Sequence, residues 1–245
     1  MGDLGEHGIA RLRADNPGPY TLDGTNTWVV GRDPAWVVDP GPAQDAHLEA
    51  VAAEVERRGG AGGIALTHDH ADHADGIAAL RERLGGPPVG AARHPAEAAL
   101  SDGDAFGPLR AVAIPGHADD HLAFVAGRAC FTGDAVLGTG SVFVADRLRE
   151  YLAALERLRA LGLAVLCPGH GPPVWDPDAK LGEYLAHRAE RERRLLAALD
   201  AGLRGTDELL DAVWDDAPPA LRVAAAVTLE AHLGKLREEG RLPGG

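Results

Sequence analysis

Nine residues, His68 to Gly76, read HDHADHADG and crowd three histidines and three aspartates into one short segment. A lone His-x-His is commonly a solvated loop, but neutral imidazole and carboxylate at this density are good ligands for zinc and similar divalent ions. The preceding residues, GGIALTH at 62–68, have the pattern of a short buried strand, and GIAALRERLGG has that of a helix. The run therefore lies between a strand and a helix. In an extended segment His68 and His70, two apart, point the same way and can bind one ion. Asp72 and His73 begin the next turn and can face a second ion, beside the free N–H groups of a helix start.

Three more polar residues end strands in Gly-containing turns: PGH at His117, TGD at Asp134 and PGH at His170. A glycine before a ligand lets the backbone turn sharply and approach an ion. The set His68, His70, Asp72, His73, His117, Asp134 and His170 divides into three ligands per ion plus a shared carboxylate or water, with a position left open for substrate.

The surrounding pattern is α/β. NPGPYTLDGTNTWVV at 16–30 ends in a β-rich run, and AWVVDPG at 35–41 is a second strand across a GRDP turn. Residues 43–58 predict a helix with Leu48, Val51, Ala52 and Val55 on one face. PPVGAAR predicts a strand and PAEAAL a short helix. LRAVAIPGH at 109–117, the two strands of HLAFVAGRACFTGD at 121–134, and AVLCPGH complete the strands. Asp146 to Leu161 is amphipathic through Leu148, Tyr151, Leu152, Leu155 and Leu158. Strands alternate with helices to about residue 175, after which the texture is all-helical: 178–204, TDELLDAVW, and PPALRVAAAVTLEAHLGKLREEG with Leu229, Leu233 and Leu236 in a stripe.

The order HxHxDH, His, Asp, His resembles the metallo-β-lactamase superfamily, and the likeness covers the whole chain. It implies an αββα sandwich. It also implies that His68, His70 and His117 hold one ion, that Asp72, His73 and His170 hold the other, and that Asp134 bridges them. Asp39, in VVDPG, matches an aspartate that supports the metal loop from behind; the alternative for it is a turn cap. NPGPYTLDGTNTWVVG, PGHADDHLAF, FTGDAVLGTGSVF and CPGHGPPVWDPDAKLGEYLAHRAERE resemble the β-lactamase-like protein 2 group. Animal members of that group are mitochondrial endoribonucleases acting on single-stranded RNA. Members carry a C-terminal helical, winged-helix-like domain, and TLEAHLGKLREEGRL resembles its last helix. The implied division is a catalytic domain at 1–177 and a winged-helix-like domain at 178–245. The sequence ends at Gly245 with little room for a second wing strand. Residues 181–245 hold nine Arg or Lys against twelve Asp or Glu, which argues against a nucleic-acid role for that end. Related fungal proteins act as thioesterases, so fold and motif leave the substrate open.

The expected activity is dinuclear, zinc-dependent hydrolysis by a metal-bridging hydroxide, with iron or manganese as other metals the donors accept. Asp72 is the candidate catalytic residue, able to orient the nucleophile or accept its proton. A net charge of −13 disfavours a broad grip on phosphates, so a small-molecule or carrier-bound ester, thioester or lactone stands ahead of single-stranded RNA. A non-hydrolytic di-iron oxidoreductase on the same scaffold is the alternative chemistry. The intact ligand set argues against a metal-free binding module.

Other residues carry softer expectations. His121 orients the loop after His117, while His7, His47, His94, His187 and His232 are surface or packing residues. Thr25, Asn26 and Thr27 either line the site mouth or form turn chemistry. The run Arg188, Arg191, Arg193 and Arg194 is a solvated helix face, or alternatively a phosphate-contacting strip. Cys130 and Cys167 are buried structural thiols. No run is long and apolar enough for a membrane span, MGDLGEHGIARLRADNPGPY lacks the pattern of a signal peptide, and two cysteines cannot form a disulfide framework, so a reducing cytoplasm is the expected setting. A homodimer is compatible with the sequence.

Overall fold

The computed structural model describes residues 2–93 and 97–242. The GRDP turn closes an antiparallel hairpin of β2 (Asn26–Val30) and β3 (Ala35–Val38), and β1 (Ile9–Arg13) pairs antiparallel to β2 at the sheet edge. Helix α1 (Asp45–Arg57) carries the chain to β4 (Ala61–Ala65), parallel to β3. Helices α2 (Ala71–Ala74) and α3 (Ile77–Arg83) lead to β5 (Val89–Ala91), which pairs with β6 (Ala98–Ala99). The second sheet is an antiparallel meander of β7 (Ala105–Phe106), β8 (Leu109–Ala113), β9 (Leu122–Ala126) and β10 (Ala129–Gly133). Helix α4 (Leu148–Arg159) then crosses to β11 (Val165–Pro168), parallel to β10.

Strands β2 and β10 are buried at every position. That follows from their layer: each has a facing sheet on one side and helices on the other. Trp28, Val38, Phe124, Phe131 and Cys167 fill the space between the sheets. Val37, Leu48, Val51, Ile64 and Leu80 seal α1 and α3 onto the first sheet. Cys130, Tyr151, Leu155, Leu158 and Leu166 do the same for α4 and the second. The result is the αββα sandwich that the motif order implies. Burial pushes the Cys130 thiol up to about 12, as suits an inert packing group.

Helix α5 (Pro177–Asp200) begins at a proline whose missing N–H costs nothing in the first turn, and the Asp176 carboxylate accepts from Ala179 N–H at 3.0 Å. Its first half packs Leu181 and Tyr184 against the α4 core, and its second half packs Leu195 and Leu199 against α6 (Thr206–Val213) and α7 (Arg222–Glu238). The helix thus belongs to both cores. No strand follows α7 among the described residues, and no helix is long and apolar enough to cross a membrane.

Several elements differ from expectation. Ala98–Ala99, expected in a helix, pair with β5 as an edge strand, which places Leu100 in the inter-sheet core; the start of that segment, and His94, lie outside the described residues. Strands β1 and β7 carry no clear signal in the sequence. The arginine run is not one solvated face: Arg188 and Arg191 are buried, because α5 is enclosed by two cores, while Arg193 and Arg194 pair with Glu190 and Asp215.

His232 on α7 is fully buried, edge-on to Trp214 at 5.7 Å. Burial, with Arg188, Lys235, His187 and Arg191 nearby, lowers its pKa to about 3. Below pH 6.5 the unfolded chain takes up a proton here that the folded chain refuses until about pH 3, so stability falls as pH drops through that window. We expect His232→Leu to flatten the decline in urea midpoint between pH 6.5 and 4 relative to wild type. An unchanged slope would remove His232 from this account.

Candidate metal centre

Strand directions bring the polar residues to one edge. β3 and β4 run parallel, so Asp39 and the segment starting at His68 leave the first sheet together. β10 and β11 run parallel, so Asp134 and His170 leave the second sheet together, and β8, two strands from β10, delivers His117 to the same side. The rim of the sandwich is therefore a ring of strand ends, each followed by a short turn that carries a ligand-type side chain. In two of these turns the glycine is required by space. A Cβ on Gly169 would collide with the Asp134 carboxylate and the His73 ring, and one on Gly133, at φ +47°, would meet Thr67.

All seven predicted side chains converge. Ligand atoms of His68, His70 and His117 lie within 4.8 Å of one another, as do those of Asp72, His73 and His170. Asp134 stands between the two groups, with Oδ1 3.4 Å from His73 Nε2 and Oδ2 3.2 Å from His170 Nε2 and 3.7 Å from His117 Nε2. His170 Nε2 is also 3.2 Å from Asp72 Oδ2.

The outward nitrogen of most rings is already engaged. His73 Nδ1 donates to Asp39 Oδ2 at 2.9 Å. His68 Nδ1 lies 2.9 Å from Thr67 Oγ1, whose own proton goes to Asp39 Oδ2 at 2.8 Å. His117 Nδ1 donates to Phe143 O and His170 Nδ1 to Gly24 O, each at 3.3 Å. Fixing the Nδ1 proton outward directs the Nε2 lone pair inward, the arrangement a metal-binding histidine needs. Within the cluster, His73 Nε2 and Asp134 Oδ1 are buried with no hydrogen-bond partner. The donor set and these orphaned atoms fit divalent metal.

The electrostatics point the same way. Burial opposes charge on Asp134, but His73 and His170 outweigh it and hold the carboxyl well below the usual range. Burial also opposes protonation of His73 and His170, yet Asp134 with Asp39 raises the first, and Asp134 with Asp72 raises the second to about 9. Asp72, partly buried but beside His170 and His73, falls to about 2. The protons on His73 and His170 mark where these carboxylates demand positive charge, a role a divalent cation fills while displacing the protons. His68, deeply buried beside His73 and His121, is held well below its ordinary value and stays neutral, with its lone pair available.

The softer expectations resolve individually. His121 stacks on His68 with ring centroids 4.7 Å apart, and its Nε2 accepts from Asp134 N–H at 3.2 Å, so its ring supports His68 and the Asp134 turn. Thr25, Asn26 and Thr27 are neither mouth nor simple turn. Thr25 Oγ1 donates to Asp72 Oδ2 at 3.0 Å. Asn26 Nδ2 donates to Pro168 O and Gly171 O, pinning the His170 turn, and Thr27 meets buried His47 at 2.8 Å. Asp39 does more than cap a turn: it also accepts from Thr67 N–H at 2.8 Å. Thr67 itself went unnoticed in the sequence; a hydroxyl directly before the first histidine was the available signal.

Above the cluster lies a chamber of about 320 Å³ walled by Tyr20, Phe143, Ala145 and Val227, with His70, Asp72 and His117 at its floor. The wall residues come from the N-terminal loop, the segment before α4, and α7, so the helical end of the chain helps to enclose the site.

The metallo-beta-lactamase superfamily profile matches residues 20–113 and 97–170, and the beta-lactamase associated winged helix domain matches residues 206–242. A beta-lactamase-like protein 2 homolog from Caenorhabditis elegans is 30% identical over 95% of this chain and 85% of its own length. The atrochrysone carboxyl ACP thioesterase of Aspergillus fumigatus is 34% identical over 78% of this chain and 64% of its own. A metallo-beta-lactamase family protein from Thermus thermophilus superposes with a TM-score of 0.70 at 27% identity, covering 97% of this chain and 96% of that one.

Replacing Asp39 with alanine removes the acceptor behind His73 and Thr67. We expect metal affinity, read by competition with a chromogenic chelator, to fall about 10–100-fold with the fold retained by circular dichroism. Unchanged affinity would reduce Asp39 to a turn cap.

Proposed function

The chain belongs to the metallo-beta-lactamase superfamily, and from that premise we propose that it is a dinuclear metal-dependent hydrolase of an ester or thioester. The observation that carries this reading is the pairing of the seven-residue cluster with an apolar chamber directly above it. One ion would be held by His68, His70 and His117 and the other by Asp72, His73 and His170, with Asp134 placed between the two groups. Zinc suits this set, and iron or manganese accepts the same donors. When bound, the ions supply Lewis acidity that makes water nucleophilic at neutral pH and polarises the bond to be cut.

The remaining work falls to the chain. Tyr20, Phe143, Ala145 and Val227 enclose the space over the cluster where the scissile bond would lie. Asp72 is the more exposed of the two carboxylates there, its side chain 27% accessible against 10% for Asp134. It is fixed by the Thr25 hydroxyl, so it is placed to orient water and accept its proton. An ester or thioester fits these walls better than a polyanion. Three arginines of α5 that would otherwise be free to grip phosphates are engaged internally: Arg191 with Asp216, Arg193 with Glu190 and Arg194 with Asp215. The thioesterase named among the relatives supports the same class.

The test replaces His70 or Asp134 with alanine and measures metal by elemental analysis alongside hydrolysis of acyl thioesters and of a labelled single-stranded RNA. We expect wild type to bind two equivalents of metal and cleave thioester, and each variant to lose metal and orders of magnitude of rate. RNA cleavage with steeply salt-dependent binding, and no thioesterase activity, would replace the ester reading with the phosphodiester one. Unchanged metal and activity in both variants would end the ligand assignment.

A further inference from the structure

A second cavity, of about 510 Å³, adjoins the cluster. His117 and Asp134 contribute to its wall at the metal end, and Trp214, Ala217, Pro218 and Leu221 line it where the helical unit closes over. Between these limits α5 presents Tyr184, His187, Arg188 and Arg191, which recur at three- and four-residue spacing and so share one helix face. Tyr184 is anchored near the metal end, where its hydroxyl accepts from Leu137 N–H at 2.9 Å. Arg191 is anchored at the far end, donating to Val213 O and to both Asp216 oxygens at 2.6 and 2.7 Å. At 1.5 Å per residue, Arg188 stands roughly 6 Å along the axis from Tyr184.

The two arginines differ in one respect. Arg191 has its carboxylate, whereas Arg188, only 2% exposed, has none within salt-bridge distance among the described residues. Its Nη2 donates to Val142 O and, at 3.2 Å, to Ser141 Oγ, and its Nε has no partner. Its charged or titratable neighbours are Tyr151, Tyr184, Arg191 and His187, none of which supplies negative charge, and both phenols are pushed up by burial. Holding the Val142 carbonyl requires a donor, not a charge. A guanidinium stays protonated, and burying one without a counter-charge is strongly unfavourable. The fold retains that charge on the wall of a mainly apolar cavity beside the cluster, where the lining carboxylates Glu183 and Asp216 are already paired with Lys180 and Arg191.

Resting on the hydrolase reading above, we propose that this cavity is the acyl subsite and that Arg188 binds a second carboxylate on the acyl group. The substrate class is then an ester or thioester of an apolar acid that carries a further acidic group some way from the scissile carbonyl. Ser141 and the neutral His187 ring stand beside Arg188 to complete the polar end of the subsite.

Calorimetry on the metal-loaded protein with the product-like acids adipate, suberate and sebacate, each against hexanoate, octanoate or decanoate of the same length, tests this without turnover. We expect at least one dicarboxylate to bind tenfold or more tightly than its monocarboxylate partner. Arg188→Gln, which keeps a donor for Val142 O, should abolish that preference, while Arg188→Lys should retain part of it. Equal or absent binding of both series in wild type overturns the proposal whatever the variants do, as does a preference that survives in folded Arg188→Gln. Hydrolysis of the matching monothioesters is read separately. A dicarboxylate preference in binding without any hydrolysis sustains the subsite and sinks the hydrolase reading, and hydrolysis without preference does the reverse.

Discussion

One buried carboxylate, Asp39, organises the rim on which the histidine–aspartate cluster is built. It sits just past β3 at φ +54°, an unusual conformation for a residue with a side chain, and its two oxygens gather Thr67 N–H, the Thr67 hydroxyl and His73 Nδ1. Through Thr67 it also reaches His68. A single anion thus sets the ring orientation of one histidine from each proposed triad. The backbone ties the same elements together: Gly41 N–H donates to His73 O, and Gly76 N–H donates to Gly41 O. A buried carboxylate persists only when it is well hydrogen-bonded, and here that requirement forces the ends of β3, β4 and α2 into one register.

The helical end of the chain is joined to this rim by the segment that precedes α4. Phe143 O receives His117 Nδ1, Val144 N–H donates to Thr228 Oγ1 on α7, and Val142 O receives Arg188 on α5. Three successive residues therefore link His117 of the cluster to both helices. This gives the helical unit a role in shaping the site that does not depend on binding nucleic acid. It also explains why α5 must be long: one end completes the α4 core while the other carries α6 and α7.

The cluster was legible in the sequence because its chemistry is local. His68, His70, Asp72 and His73 fall within six residues, and His117, Asp134 and His170 each follow a glycine at a strand end. The support was harder to see. Asp39 and Thr67 are adjacent only because β3 and β4 pair in parallel, and Thr25 and Asn26 reach Asp72 and the His170 turn only because β2 runs antiparallel to β3. The α5 arginines misled because Glu190 and Glu192 alternate with them, which looks like a solvated face. The better signal was the spacing Leu181, Tyr184, Arg188, Arg191, Leu195, a three-and-four repeat in which the two arginines occupy core-facing positions. The Ala98–Ala99 edge strand was missed because a short alanine-rich segment follows whatever edge is offered, and that preference is tertiary.

The proposed centre has seven side chains, two of them oriented through Asp39, that would hold two metal ions sharing Asp134. Anomalous scattering from crystals of metal-loaded protein tests it most directly. The account predicts two peaks about 3.5–4 Å apart, one against His68, His70 and His117 and one against Asp72, His73 and His170, both in contact with Asp134. A single fully occupied peak, or peaks away from these side chains, would contradict it.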